Sequence, residues 1–109
     1  MHQEGMEIKM VTGKFSSISN RLRFVRAYYD MPSKEFAEGM NAPPKSYSQW
    51  ESGDFRISID GALKMQERYG ISLDFIYTGR LDTLPNRIAT AFSSSPLAMN
   101  SSASTVKPE

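Results

Sequence analysis

Residues 41–53 read NAPPKSYSQWESG, and the fold turns on whether the two adjacent prolines end a helix or begin one. A proline inside a helix removes a hydrogen bond and clashes with the preceding turn. At the first helical position its missing N–H has no partner to lose, and its fixed φ suits the helix. Taking Pro44 as that first position puts Tyr47, Trp50 and Glu51 on one face, three and four residues apart. Lys45, Ser48, Gln49 and Ser52 fall on the other face, and Gly53 supplies a left-handed stop. The stretch therefore predicts a helix over 44–52, aromatic inside and small-polar outside. A face made only for solubility usually carries Glu and Lys, so Ser, Gln and Lys suggest one kept short for close approach.

Working outward, PSKEFAEGMN reads as a second short helix, started by Pro32 and ended by Asn41, with Phe36, Ala37 and Met40 inward. Upstream, SSIS offers N-cap hydroxyls to a longer helix in which Ile18, Leu22, Val25 and Tyr29 recur at helical spacing. Arg21, Arg23 and Arg26 decorate its flanks, and Asp30 tolerates the left-handed turn that ends it. Downstream, Ser58 caps IDGALKMQERY, whose buried side is expected to be Ile59, Ala62, Leu63, Gln66 and Tyr69, with Gly70 as its stop. Ser72 caps LDFIYT, with Leu73, Phe75 and Ile76 toward the core, and Pro85 opens PNRIATAF, with Ile88 and Phe92 on one side. The organisation expected is a flexible arm over 1–16, a helical domain over 17–79, a helical extension over 80–93 and a disordered Ser/Ala/Pro-rich tail over 94–109.

The bulk numbers fit one small all-α domain. The chain has 109 residues, 39% of them hydrophobic, and no cysteine, so disulfides and thiolate metal sites are excluded and a reducing compartment is expected. No apolar run approaches the ~20 residues of a membrane span and no secretory signal is evident, so the expectation is a cytoplasmic protein without a membrane partner. Net charge is only +1, yet Lys9, Lys14, Arg21, Arg23 and Arg26 fall in a stretch with no acidic residue. On charge alone this gives either one positive end of the fold or a solvated helix face that happens to be basic.

Residues 17–79 resemble the Cro/C1-type helix-turn-helix family, the phage-repressor-like group also called XRE. The pieces that carry the resemblance are RLRFVR, SKEFAEGMN, YSQWESG and GISLDFIYTG, at the separations that family's five-helix domain uses. The continuation RLDTLPNRIA is similar to a subgroup of small bacterial and prophage regulators. The resemblance implies a compact lambda-repressor-like domain that binds double-stranded DNA. Residues 33–40 would cross the DNA backbone and 44–52 would be the recognition helix in the major groove.

By the same resemblance, base readout falls to Pro44, Lys45, Ser46, Ser48 and Gln49. Lysine donates to guanine O6 and N7, and glutamine pairs with adenine N6 and N7. Pro44 departs from the family's usual polar residue and offers only apolar contact, for instance to a thymine methyl. Arg21, Ser33, Ser52 and Arg56 are the implied phosphate contacts, and Arg26 and Glu51 occupy the positions of a structural ion pair. A homodimer on DNA is implied, and Leu84, Ile88 and Phe92 either form its contact or pack back on the preceding helix. A second reading keeps the fold but exchanges DNA for a protein partner, as an interaction module or an antitoxin. No nucleophile–base pair or metal-ligand cluster is present to support an enzyme, and no cofactor, metal or small-molecule ligand is expected.

Overall fold

The computed structural model describes residues 13–96. His2 and the rest of residues 1–12, and residues 97–109 of the tail, lie outside the described residues. Six helices follow one another: α1 (Ser16–Tyr29), α2 (Ser33–Gly39), α3 (Pro44–Ser52), α4 (Ile59–Tyr69), α5 (Leu73–Thr78) and α6 (Asn86–Ser93). Among the described residues there is no strand. The fold class is all-α, and α2, the turn over 40–43 and α3 form a helix-turn-helix.

The punctuation works as the residue types predict. Pro44 stands at the start of α3, and Gly53 closes it at φ 87°, where a side chain would be strained. Asp30 and Asn41 take the left-handed turns after α1 and α2 at φ 56° and 60°. Ser58 and Ser72 each accept a backbone N–H at the start of their helices, from Gly61 and Phe75. The serines of SSIS behave differently. Phe15 is the N-cap residue of α1, no side chain caps that helix, and Ser19 is fully buried. The end of the expected arm is also pinned, because the Phe15 N–H donates to the carbonyl of Gly53 at 2.9 Å.

One core holds all six helices together. Leu22 and Val25 of α1, Phe36 and Ala37 of α2, Tyr47 of α3, Met65 of α4, Phe75 of α5 and Phe92 of α6 belong to the same buried cluster. The phase of α4 corrects the sequence expectation. Its inward stripe is Ala62, Met65 and Tyr69, while Ile59, Leu63 and Gln66 are exposed. The reason is packing: the Trp50 ring lies against Gly61, and the Tyr69 hydroxyl donates to the Phe36 carbonyl at 2.9 Å. Together these rotate the helix away from its β-branched and leucine side chains.

The extension after residue 79 joins this core. Phe92 meets Phe24 and Phe75 edge to face, each at 5.0 Å between ring centroids, and Leu84 and Ile88 are buried with it. Of the two roles open to Leu84, Ile88 and Phe92, the structure adopts packing back on the domain, which leaves none of the three free for a contact between copies.

Candidate nucleic-acid interface

The candidate site is the outer face of α3, and it exists because the inner face is tied down. Tyr47 is fully buried and packs on Phe36, and Trp50 is half-buried edge-on to Tyr47. Glu51, one turn after Tyr47, accepts from Arg26 of α1 through Nε at 2.7 Å and Nη2 at 3.1 Å, and also from the Tyr47 hydroxyl. Arg26 uses its third nitrogen, Nη1, on the Met31 carbonyl at 3.0 Å. A two-pronged pair of this kind fixes direction as well as distance. The Glu51 hydrogen bond raises the Arg26 pKa despite burial, so the cation persists across any working pH. Burial, then the neighbouring carboxylate, holds the Tyr47 phenol well above its ordinary value, so it stays a neutral donor.

Two more joints were not evident in the sequence. The Ser19 hydroxyl donates to the Glu51 backbone carbonyl, and the Phe15 N–H reaches Gly53, so α1 and its lead-in grip the last turn of α3 from two sides. Ser19 shares a helical face with Leu22 and Arg26, and that spacing was the signal available. Beyond α3, the Tyr77 hydroxyl donates to the Ile57 carbonyl at 2.8 Å and anchors the connector that carries Arg56.

With the inner face held, Pro44, Lys45, Ser48, Gln49 and Ser52 are all exposed, and Ser46 is half-buried. The five residues expected to read bases therefore occupy one short helix that cannot roll. The residues expected at phosphates divide. Arg56 is exposed in the connector, and Ser33 is half-buried at the first position of α2. Ser52 is exposed, but its hydroxyl donates to the Gln49 carbonyl at 2.8 Å and accepts from the Asp54 N–H at 3.2 Å.

Arg21 is the correction. It is only 2% exposed and Nη1 donates to the Ile76 carbonyl at 3.0 Å, so its guanidinium braces α5 and cannot reach a phosphate. Burial pushes its pKa down to about 10, which still leaves it charged at neutral pH. The basic run of α1 is correspondingly thinned. Arg21 is buried and Arg26 is paired, which leaves Lys14 exposed and Arg23 half-exposed, while Lys9 lies outside the described residues.

Among the described residues no group of three His, Cys, Asp or Glu is placed to hold a metal, and no helix is long and apolar enough to cross a membrane. No protein-family model matches the chain, and no solved structure matches it. A curated relative does: the chain is 31% identical over 64 residues to the repressor protein CI of enterobacteria phage phi80. The match covers 59% of this chain and 27% of that protein, so the chain spans about a quarter of the length of the relative it matches. The chain is thus distantly similar to a phage repressor, a likeness that supports a phage-repressor-like family.

Proposed function

We propose that this chain is a sequence-specific double-stranded DNA-binding transcriptional regulator of bacterial or prophage type, working in the cytoplasm with α3 in the major groove. The observation that carries the reading is the exposure of Lys45, Ser48 and Gln49 together on a helix whose opposite face is locked by Tyr47 and the Arg26–Glu51 pair. Base edges are read only by groups held at a fixed angle and depth, and small neighbours let the backbone of α3 come close. The distant likeness to a phage repressor supports the same conclusion.

In this reading Lys45 addresses guanine, Gln49 addresses adenine, Ser46 and Ser48 contact either base, and Pro44 packs on a thymine methyl. Arg56 and Ser33 hold phosphates on either side, and Ser52 joins them if its hydroxyl turns from the Gln49 carbonyl. A single nine-residue helix covers few base pairs, so two copies act on a near-palindrome with half-sites ~34 Å apart or a multiple of that. The reading invokes no catalysis, cofactor, metal or small-molecule effector.

The test is selection of bound sites from random duplexes, followed by a salt series on the winning sequence. A two-fold consensus is expected. Arg56→Ala should weaken all sequences about evenly and lower the salt slope by about one. Retention that ignores sequence would sink the proposal and favour the second reading, a protein-interaction module or antitoxin on this fold. Pro44, in a position where a polar side chain would read a base, is the observation on that side.

A further inference from the structure

The residues that lead into α1 sit against the end of α3. A Cβ on Gly13 would come within 2.7 Å of the Gly53 carbonyl oxygen, so the two backbones pass too closely for a side chain at position 13. Two residues on, the Phe15 N–H donates to that same carbonyl at 2.9 Å. Lys14 lies between these two contacts and is held with them at the end of α3. Its side chain is exposed, and its ammonium stands 5.9 Å from the centre of the Phe15 ring. That ring in turn walls an open cleft together with Arg56 of the connector.

The chemistry gathered there suits an anion. Among the described residues neither Lys14 nor Arg56 is in an ion pair. Phe55 and Arg56 are exposed, and among the described residues their backbone N–H groups have no acceptor. Asp54 is the acid of the group. Its N–H is taken by the Ser52 hydroxyl at 3.2 Å, and its carboxylate lies toward Gly13. Two cations and two open backbone donors therefore face one carboxylate, and lysine, arginine and backbone N–H groups are the usual partners of DNA phosphates.

We propose that the lead-in to α1 is a second part of the phosphate grip, with Lys14 beside Arg56 on the DNA strand that passes the C-terminal end of α3. The inference rests on the DNA-binding reading and adds to it a contact from outside the helix-turn-helix. A lysine ammonium is a compact point charge on a long stem, which suits a phosphate oxygen better than a base edge needing two aligned bonds. Because the backbone on both sides of Lys14 is already fixed to Gly53, little order has to be gained when the strand arrives. With Ser33 on one side and Lys14 with Arg56 on the other, the depth of α3 in the groove is set from both ends.

The experiment is an anisotropy titration of the full chain on the selected duplex and on a scrambled one, for wild type, Lys14→Ala, Lys14→Arg and Arg87→Ala. One phosphate contact carries a salt slope of about 0.9, so the advantage of wild type over Lys14→Ala should shrink about threefold between ~50 and ~200 mM salt, on both duplexes. Lys14→Arg should restore the wild-type slope. Arg87→Ala should keep it, since α6 packs on the Phe24 side of α1, away from the Ser19 and Arg26 side that holds α3. An advantage that does not change with salt overturns the proposal, and so does a loss confined to the selected sequence. A chain that binds both duplexes alike, with the Lys14 effect intact, defeats only the sequence-specific reading. A chain that selects its sequence while Lys14→Ala behaves as wild type defeats only this inference, and one that binds neither duplex overturns both.

Discussion

The outer faces of α3 and α4 are both open to solvent, and their chemistry is opposite. On α3 the exposed residues are Pro44, Lys45, Ser48, Gln49 and Ser52, polar apart from the proline that starts the helix. On α4, Ile59 and Leu63 point outward although the same helix already gives Ala62, Met65 and Tyr69 to the core. Water tolerates the first face without cost and the second only at the loss of apolar burial. The contrast separates a surface suited to hydrogen-bonding edges from one suited to another apolar surface. It also rests on one shared joint, since Trp50 of α3 packs on Gly61 of α4 and fixes how each helix is turned.

The comparison breaks most readily at the inner side of α3. Glu51→Ala leaves Arg26 and the Tyr47 hydroxyl without their acceptor in a mostly buried place. It should cost about 2–4 kcal/mol in urea unfolding, and the outer face should lose its reading angle with it. A loss below about 0.5 kcal/mol would mean that this pair does not fix the helix. Gln49→Ala sharpens the contrast from the other side. It should cost about 1–3 kcal/mol of binding on the selected duplex and leave the unfolding midpoint unchanged.

The shared joint comes next. A Cβ on Gly61 would run into the Trp50 ring, so Gly61→Ala should lose about 1–2 kcal/mol on thermal unfolding although alanine is the better helix former. A gain in melting temperature would show that the ring moves aside freely. The smallest effect belongs to Tyr47→Phe, about 1 kcal/mol at neutral pH for one lost donor to the carboxylate. Because the folded phenol titrates above its ordinary value of 10.0, its contribution is complete below that pH. It is lost as pH rises through the higher folded value, so the variant's stability should fall less steeply above pH 10 than the wild type's. Tyr69 and Tyr77, also raised by burial, leave some alkaline slope in both proteins, and identical slopes would contradict the assignment.

How far each feature could be read in advance follows from its range along the chain. The bounds of α3, its left-handed stop and its two faces depend on neighbours within four residues, and a proline, a glycine and a spacing of three and four specify them. The Arg26–Glu51 pair came from a family resemblance, since nothing local ties residues 25 positions apart. Arg21 looked like a flanking cation because its burial is supported from far along the chain, where it donates to the carbonyl of Ile76. Ser19 looked like a cap for the same reason, its acceptor being the carbonyl of Glu51.

The phase of α4 was not decidable from its own residues. Ile59, Ala62, Leu63, Met65 and Tyr69 spread apolar character around more than one face, so two rotations of the helix suit the pattern nearly equally well.

What the sequence by itself determined is the bounds of α3, the left-handed stops, the serine caps of α4 and α5 and which face of α3 is wet, because turn chemistry and short-range periodicity act through adjacent backbone. The rotation of α4, the burial of Arg21 and the inward packing of α6 were decided only by tertiary structure. Each depends on a ring or a carbonyl delivered from a distant part of the chain, and the energy of that contact exceeds any local preference.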